Sequence, residues 1–112
     1  MSIPTALFVN YDILTAPGTA DTTLVQLGDS FNTKNYTLFA TVAAINTNVI
    51  VALEGSIDGT NYSKIIANQT ITANGTTHYN IDNHPVKFVR PVFVSESGGT
   101  AATVLFSLGA SG

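Results

Sequence analysis

Residues 49–66, Val-Ile-Val-Ala-Leu-Glu-Gly-Ser-Ile-Asp-Gly-Thr-Asn-Tyr-Ser-Lys-Ile-Ile, constrain the fold more than any other stretch of this chain. An apolar run leads into Asp58-Gly59, and a second apolar run follows. Asp-Gly between alternating hydrophobics is the strongest short-range signal for a β-hairpin. Glycine takes the positive φ that the turn needs, and the aspartate side chain caps the backbone beside it. The segment therefore predicts two antiparallel strands with Asp58-Gly59 at the tip.

The rest of the chain has the same character. Period-2 or β-branched segments at 5–14, 22–27, 36–45, 49–57, 62–66, 77–81, 86–95 and 101–108 alternate with turn residues such as Ala16-Pro17-Gly18-Thr19, Asn46-Thr47-Asn48, Ala73-Asn74-Gly75 and Ser97-Gly98-Gly99. No window carries a helical stripe. About eight strands with a turn signal roughly every ten residues predict an all-β antiparallel β-sandwich, jelly-roll-like or Ig-like, with little or no helix. Residues 1–112 read as one domain, since no linker or internal repeat is visible.

Faces follow from the alternation. Val49, Val51, Leu53 and Ile57 are expected on one side of the fourth strand. Val86, Phe88, Arg90, Val92 and Val94 share a side of the seventh, opposite Lys87, Val89, Pro91 and Phe93. Pro91 has no N–H for a ladder, so this strand is expected at an edge or bulged there. Ala102, Val104, Phe106 and Leu108 are expected inward in the eighth. The third strand is nearly apolar on both sides: Leu38, Ala40, Val42 and Ala44 alternate with Thr37, Phe39, Thr41, Ala43 and Ile45. It is either central with both faces covered or meets another subunit.

Only 10% of the residues are charged, against about 25% in ordinary soluble domains. Sixteen Thr and ten Asn supply polarity instead. Uncharged polar groups can be buried between copies without the cost of desolvating ions. This composition predicts a homo-oligomer, with Phe8, Val9, Phe39, Ala43 and Ile45 as the candidate subunit interface and a trimer as the closed form. Lys34, Lys64, Lys87 and Arg90 are scattered, so no stripe offers itself to nucleic acid. No apolar run of membrane-spanning length occurs. Met1–Thr5 has no secretory pattern, and the absence of cysteine suits assembly in a reducing cytoplasm.

Candidate chemistry is sparse. Gly28-Asp29-Ser30-Phe31 is similar to the Gly-Asp-Ser nucleophile block of one esterase family, with Asp82-Asn83-His84 as a formal acid–base partner. Such a serine needs a strand-to-helix turn for its oxyanion hole, and no helix is predicted. His78 and His84 lack the third and fourth ligands of a zinc site. Asp58-Gly59-Thr60-Asn61 lacks the dense acids of a calcium loop, and turn chemistry accounts for it. The sequons at Asn35, Asn61, Asn68 and Asn74 reflect composition. No catalytic residue, cofactor or metal is therefore assigned.

The hairpin block at 51–62, Glu54-Gly55-Ser56 followed by Asp58-Gly59-Thr60-Asn61-Tyr62, resembles one in small bacteriophage structural proteins. Pro85-Val86-Lys87-Phe88-Val89-Arg90-Pro91 and then Ser97-Gly98-Gly99-Thr100 before a last strand are similar to the ending of the same proteins. The resemblance spans residues 49–108. It implies a head decoration (cement) or accessory virion protein: a non-enzymatic β-sandwich, made in the host cytoplasm, that docks on the major capsid protein at the capsid exterior. A shorter form of the Asp-Gly-Thr-Asn-aromatic turn also occurs in discoidin-like sugar-binding sandwiches. That implies the alternative, a carbohydrate-binding or host-attachment module, for which Tyr62 and Tyr79 are the candidate contacts.

Overall fold

In a computed structural model, which describes residues 6–25 and 34–111, the Asp58-Gly59 turn forms where the sequence places it. Strands β5 (Asn48–Ser56) and β6 (Ser63–Ile71) pair antiparallel on either side of it. Asp58 Oδ1 accepts the backbone N–H groups of Asn61 and Thr60, both at 2.8 Å, and the Ser56 hydroxyl at 3.0 Å. Its Oδ2 accepts Asn61 Nδ2 at 2.7 Å, and Gly59, at φ 80°, donates its N–H to Ser56 Oγ. These donors favour the ionised carboxylate and hold the Asp58 pKa well below the ordinary range, the Asn61 N–H contributing most.

The other strands are β1 (Ala6–Asn10), β2 (Gly18–Thr19), β3 (Thr23–Leu24), β4 (Asn35–Ala43), β7 (Gly75–Ile81), β8 (Phe88–Ser97) and β9 (Thr103–Ser111). They form two antiparallel sheets: β1-β9-β4-β7, and β2-β8-β5-β6 with β3 also on β8. The pairings nest. β5 pairs β6, β4 pairs β7, β2 and β3 pair β8, and β1 pairs β9. Phe8↔Gly109 and Leu38↔Tyr79 are both symmetric about the Asp58–Gly59 bond. The chain is one long hairpin, folded at that turn and rolled so that β4 also meets β9 and β5 meets β8. With β2 and β3 counted as one interrupted strand, these are the eight strands of a jelly roll.

Between the sheets lies the core. Tyr36, Leu38, Ala40 and Val42 from β4 and Val104, Phe106, Leu108 and Ala110 from β9 face Val49, Val51 and Leu53 from β5 and Val89 and Phe93 from β8. Ala102, Val104, Phe106 and Leu108 point inward as expected. Tyr11 is buried too, and its hydroxyl bonds Thr23 Oγ1 at 2.6 Å; burial pushes its pKa up.

Several sequence expectations are corrected. Ile57 is not on the inner face of β5. It is 74% exposed, because β5 ends at Ser56 and register shifts beside Val51 and Leu53 interrupt the alternation. β8 is neither an edge strand nor bulged at Pro91. It lies between β5 and β2/β3, and its irregularity falls at Val94, between the pairs Ile50↔Ser95 and Val51↔Phe93. Pro91 sits opposite the break between β2 and β3, where its carbonyl accepts the Ala20 N–H at 2.9 Å. The missing proline N–H on that side explains why the pairing there splits into two short pieces. Gly18-Thr19, expected in a turn, is one of those pieces. The fifth predicted strand runs on to Ile71. The third keeps one face in the core and opens the other. Ala44, at φ 59°, breaks the alternation and is exposed, while Ile45 tucks against the core. Residues 1–5 and the Gly28-Asp29-Ser30-Phe31 block lie outside the described residues.

Candidate functional site

The outer face of the four-stranded sheet follows from the register. Residues paired across antiparallel strands point to the same side, so the sheet presents successive rows of side chains. One row is Phe8, Gly109, Thr37 and Asn80 across β1, β9, β4 and β7; the next is Asn10, Ser107, Phe39 and His78. Beyond it come Leu105, Thr41 and Thr76, then Thr103 and Ala43. None of the side chains in these rows belongs to Asp, Glu, Lys or Arg.

This face is unusually apolar at points where solvent reaches it. Phe8 is 79% exposed, Phe39 43% and Leu105 40%. The Phe39 ring stacks on His78, centroids 5.2 Å apart and planes inclined by 22°. The Phe8 ring leans over Gly109, close enough that a Cβ there would lie 3.4 Å from it. Hydroxyls bridge the strands between the aromatics: Thr37 donates to Asn80 Oδ1 at 3.0 Å, and Ser107 to Asn10 Oδ1 at 3.1 Å. The two phenylalanines flank an open cleft of about 860 Å³, rimmed also by Asn35, Asp82 and Asn83.

Of the five residues expected at a subunit interface, Phe8, Phe39 and Ala43 share this open face. Val9 and Ile45 do not; both are half-buried against the core. The two tyrosines considered for a glycan site are not brought together. Tyr79 pairs with Leu38 on the inner side of the four-stranded sheet and packs on the core. Tyr62 belongs to the other sheet's surface, under the Arg90 guanidinium at 3.7 Å, while Arg90 Nε donates to Glu54 Oε1 at 2.7 Å. His84 is exposed, with Nδ1 3.0 Å from the Asp82 carbonyl. Among the described residues, no three His, Asp or Glu side chains converge as a metal-ligand group.

Asn10, Thr37, Asn80, Ser107 and Gly109 escaped the sequence reading as site residues. Period-2 alternation could place Phe39 and Thr37 on one face of one strand. It could not say that β9 and β1 lie beside that strand.

No protein-family model matches the sequence, and no curated protein does. Solved structures share the fold. The SPBc2 prophage-derived protein YomS matches at 12% identity and TM-score 0.61, over 100% of this chain and 97% of that one. A chain of infectious bursal disease virus, Gx strain, matches at 14% and 0.51 over 98% of this chain, which spans only 31% of the viral one. The Clostridium perfringens module CpGH89CBM32-5, in complex with GalNAc-β-1,3-galactose, matches at 15% and 0.50, over 91% and 94%. At these identities the likeness is one of fold.

Proposed function

We propose that this chain is a non-enzymatic virion structural protein, a capsid decoration module that docks on major capsid subunits at the particle exterior and associates with copies of itself. The outer face of the four-stranded sheet carries this reading. Small domains that leave uncharged, partly apolar surface open generally have a partner for it. Rows of Thr, Ser and Asn can be covered without stranding ions. The match of fold to a prophage-derived protein along the whole of this chain supports a viral module. The end of the face holding Thr41, Ala43, Thr103 and Leu105 is assigned to contact between copies, and a trimer would suit a local three-fold axis. Such an oligomer grips several capsid subunits at once, so modest contacts multiply through effective concentration.

Light scattering at tens of micromolar tests the assembly: a trimer mass is expected, falling to a monomer in Leu105→Asp. Particles with and without the protein should differ in DNA retention on heating. A monomeric wild type, together with particles equally robust either way, refutes the reading. One observation favours a second reading, sugar binding: the cleft between Phe8 and Phe39, on a sandwich shared with a module whose structure holds a disaccharide.

A further inference from the structure

We infer that the cleft between Phe8 and Phe39 binds a neutral oligosaccharide, with the two rings as stacking platforms and Asn10 and Asn80 as hydrogen-bond donors. The inference rests on and deepens the sugar-binding reading, and gives the Phe8 end of the outer face to sugar instead of to capsid docking.

Four features of the cleft select this ligand class. The first is the pair of rings. Phe8 stands open to solvent beside the floor at Gly109, and Phe39 is braced from behind by His78. The axial C–H face of a pyranose is apolar and packs on such a ring. Two strand spacings and one two-residue step separate the Cα atoms of Phe8 and Phe39 by roughly 12 Å. That span exceeds one sugar ring, so the ligand is an oligosaccharide.

The second feature is polarity. The Thr37 and Ser107 hydroxyls donate to the carbonyl oxygens of Asn80 and Asn10. Among the described residues neither amide Nδ2 meets an acceptor, which leaves donors at the cleft lining for sugar hydroxyls. The third is charge. Among the described residues Asp82 is the only acidic side chain at the rim and no lysine or arginine lines the cleft, so neutral sugars are favoured over sialylated or sulfated ones. The fourth is Gly109, whose missing side chain lets the Phe8 ring lean over β9.

The test titrates the full ¹⁵N-labelled chain with cellotetraose, xylotetraose and lacto-N-tetraose, with 3′-sialyllactose as the charged comparison, and reads affinity from amide shifts. Saturable shifts are expected at Thr37, Ser107 and Gly109 with at least one neutral sugar and none with sialyllactose. Phe8→Ala and Phe39→Ala should each weaken binding tenfold or more, and Gly109→Thr, whose side chain displaces the Phe8 ring, should abolish it. Tyr62→Ala should leave it unchanged, and circular dichroism confirms that each variant is folded. Binding that survives both phenylalanine variants would place sugar elsewhere and overturn this site while sparing the broader reading. No binding to any neutral sugar at 10 mM overturns both. So does a self-association that Phe8→Ala abolishes, since a second copy would then fill the cleft.

Discussion

Replacing Gly59 with alanine perturbs the point about which the whole chain folds back. Gly59 sits at φ 80°, and an L-residue in the left-handed region costs roughly 1–2 kcal/mol. The added Cβ would also lie 3.1 Å from Phe88 Cε2, so a half-buried ring has to move by a few tenths of an ångström. The sum is a loss of about 1.5 kcal/mol, which lowers the thermal midpoint by roughly 4–8 °C for a domain of this size. The kinetics carry the sharper expectation. β5–β6 is the pairing of shortest sequence separation, whereas Leu38↔Tyr79 and Phe8↔Gly109 close progressively longer loops. If the tip forms first, its strain appears in the folding rate, which falls about tenfold, while unfolding is nearly unchanged. Stopped-flow chevrons in urea measure both arms. Gly59→Asn should recover part of the loss, because asparagine tolerates the left-handed region. A Gly59→Ala protein that folds at the wild-type rate but unfolds faster would refute the order of events. An asparagine variant no better than alanine would refute the conformational cause.

Three further outcomes follow from the same structure. The depressed Asp58 pKa means its contribution to stability is fully present above the ordinary carboxylate value near pH 4 and fades as pH falls toward its folded value; acid melts between pH 5 and 2 should show Asp58→Asn losing less stability than wild type over that window. Phe106 is fully buried between the sheets, so Phe106→Ala should cost about 3–5 kcal/mol by urea denaturation, mostly as faster unfolding. Arg90→Lys should fail to restore the stability lost in Arg90→Ala, roughly 1 kcal/mol at low salt, because lysine cannot both lie flat on Tyr62 and donate to Glu54 in the present geometry.

Much of the architecture was legible because its signals are local. Alternation marked the inward side of β9 correctly at Val104, Phe106 and Leu108, with Ala102 buried just before it, and Asp58-Gly59 marked the turn. Local signals failed where a neighbour intervened. Pro91 advertised an edge, yet β8 is interior because the strand beyond it breaks at the proline. Ile57 joined the apolar alternation on paper but stands past the strand end, in the turn that Asp58 and Ser56 organise. Tyr62 and Tyr79 were equally plausible contacts in sequence, and the roll sends them to different sheets.

The amino-acid order by itself determined the class of fold, the position of the central turn and the low charge of the surface, since each depends on residue types at fixed short spacings. Tertiary structure alone decided the candidate site. Ser107 meets Asn10 across 97 residues of sequence, and Phe8 reaches Gly109 only when the first and last strands pair. No propensity encodes that adjacency. It arises because a hairpin longer than one sheet can bury its apolar face only by rolling onto itself, and the roll sets the outward residues of β1, β9, β4 and β7 side by side.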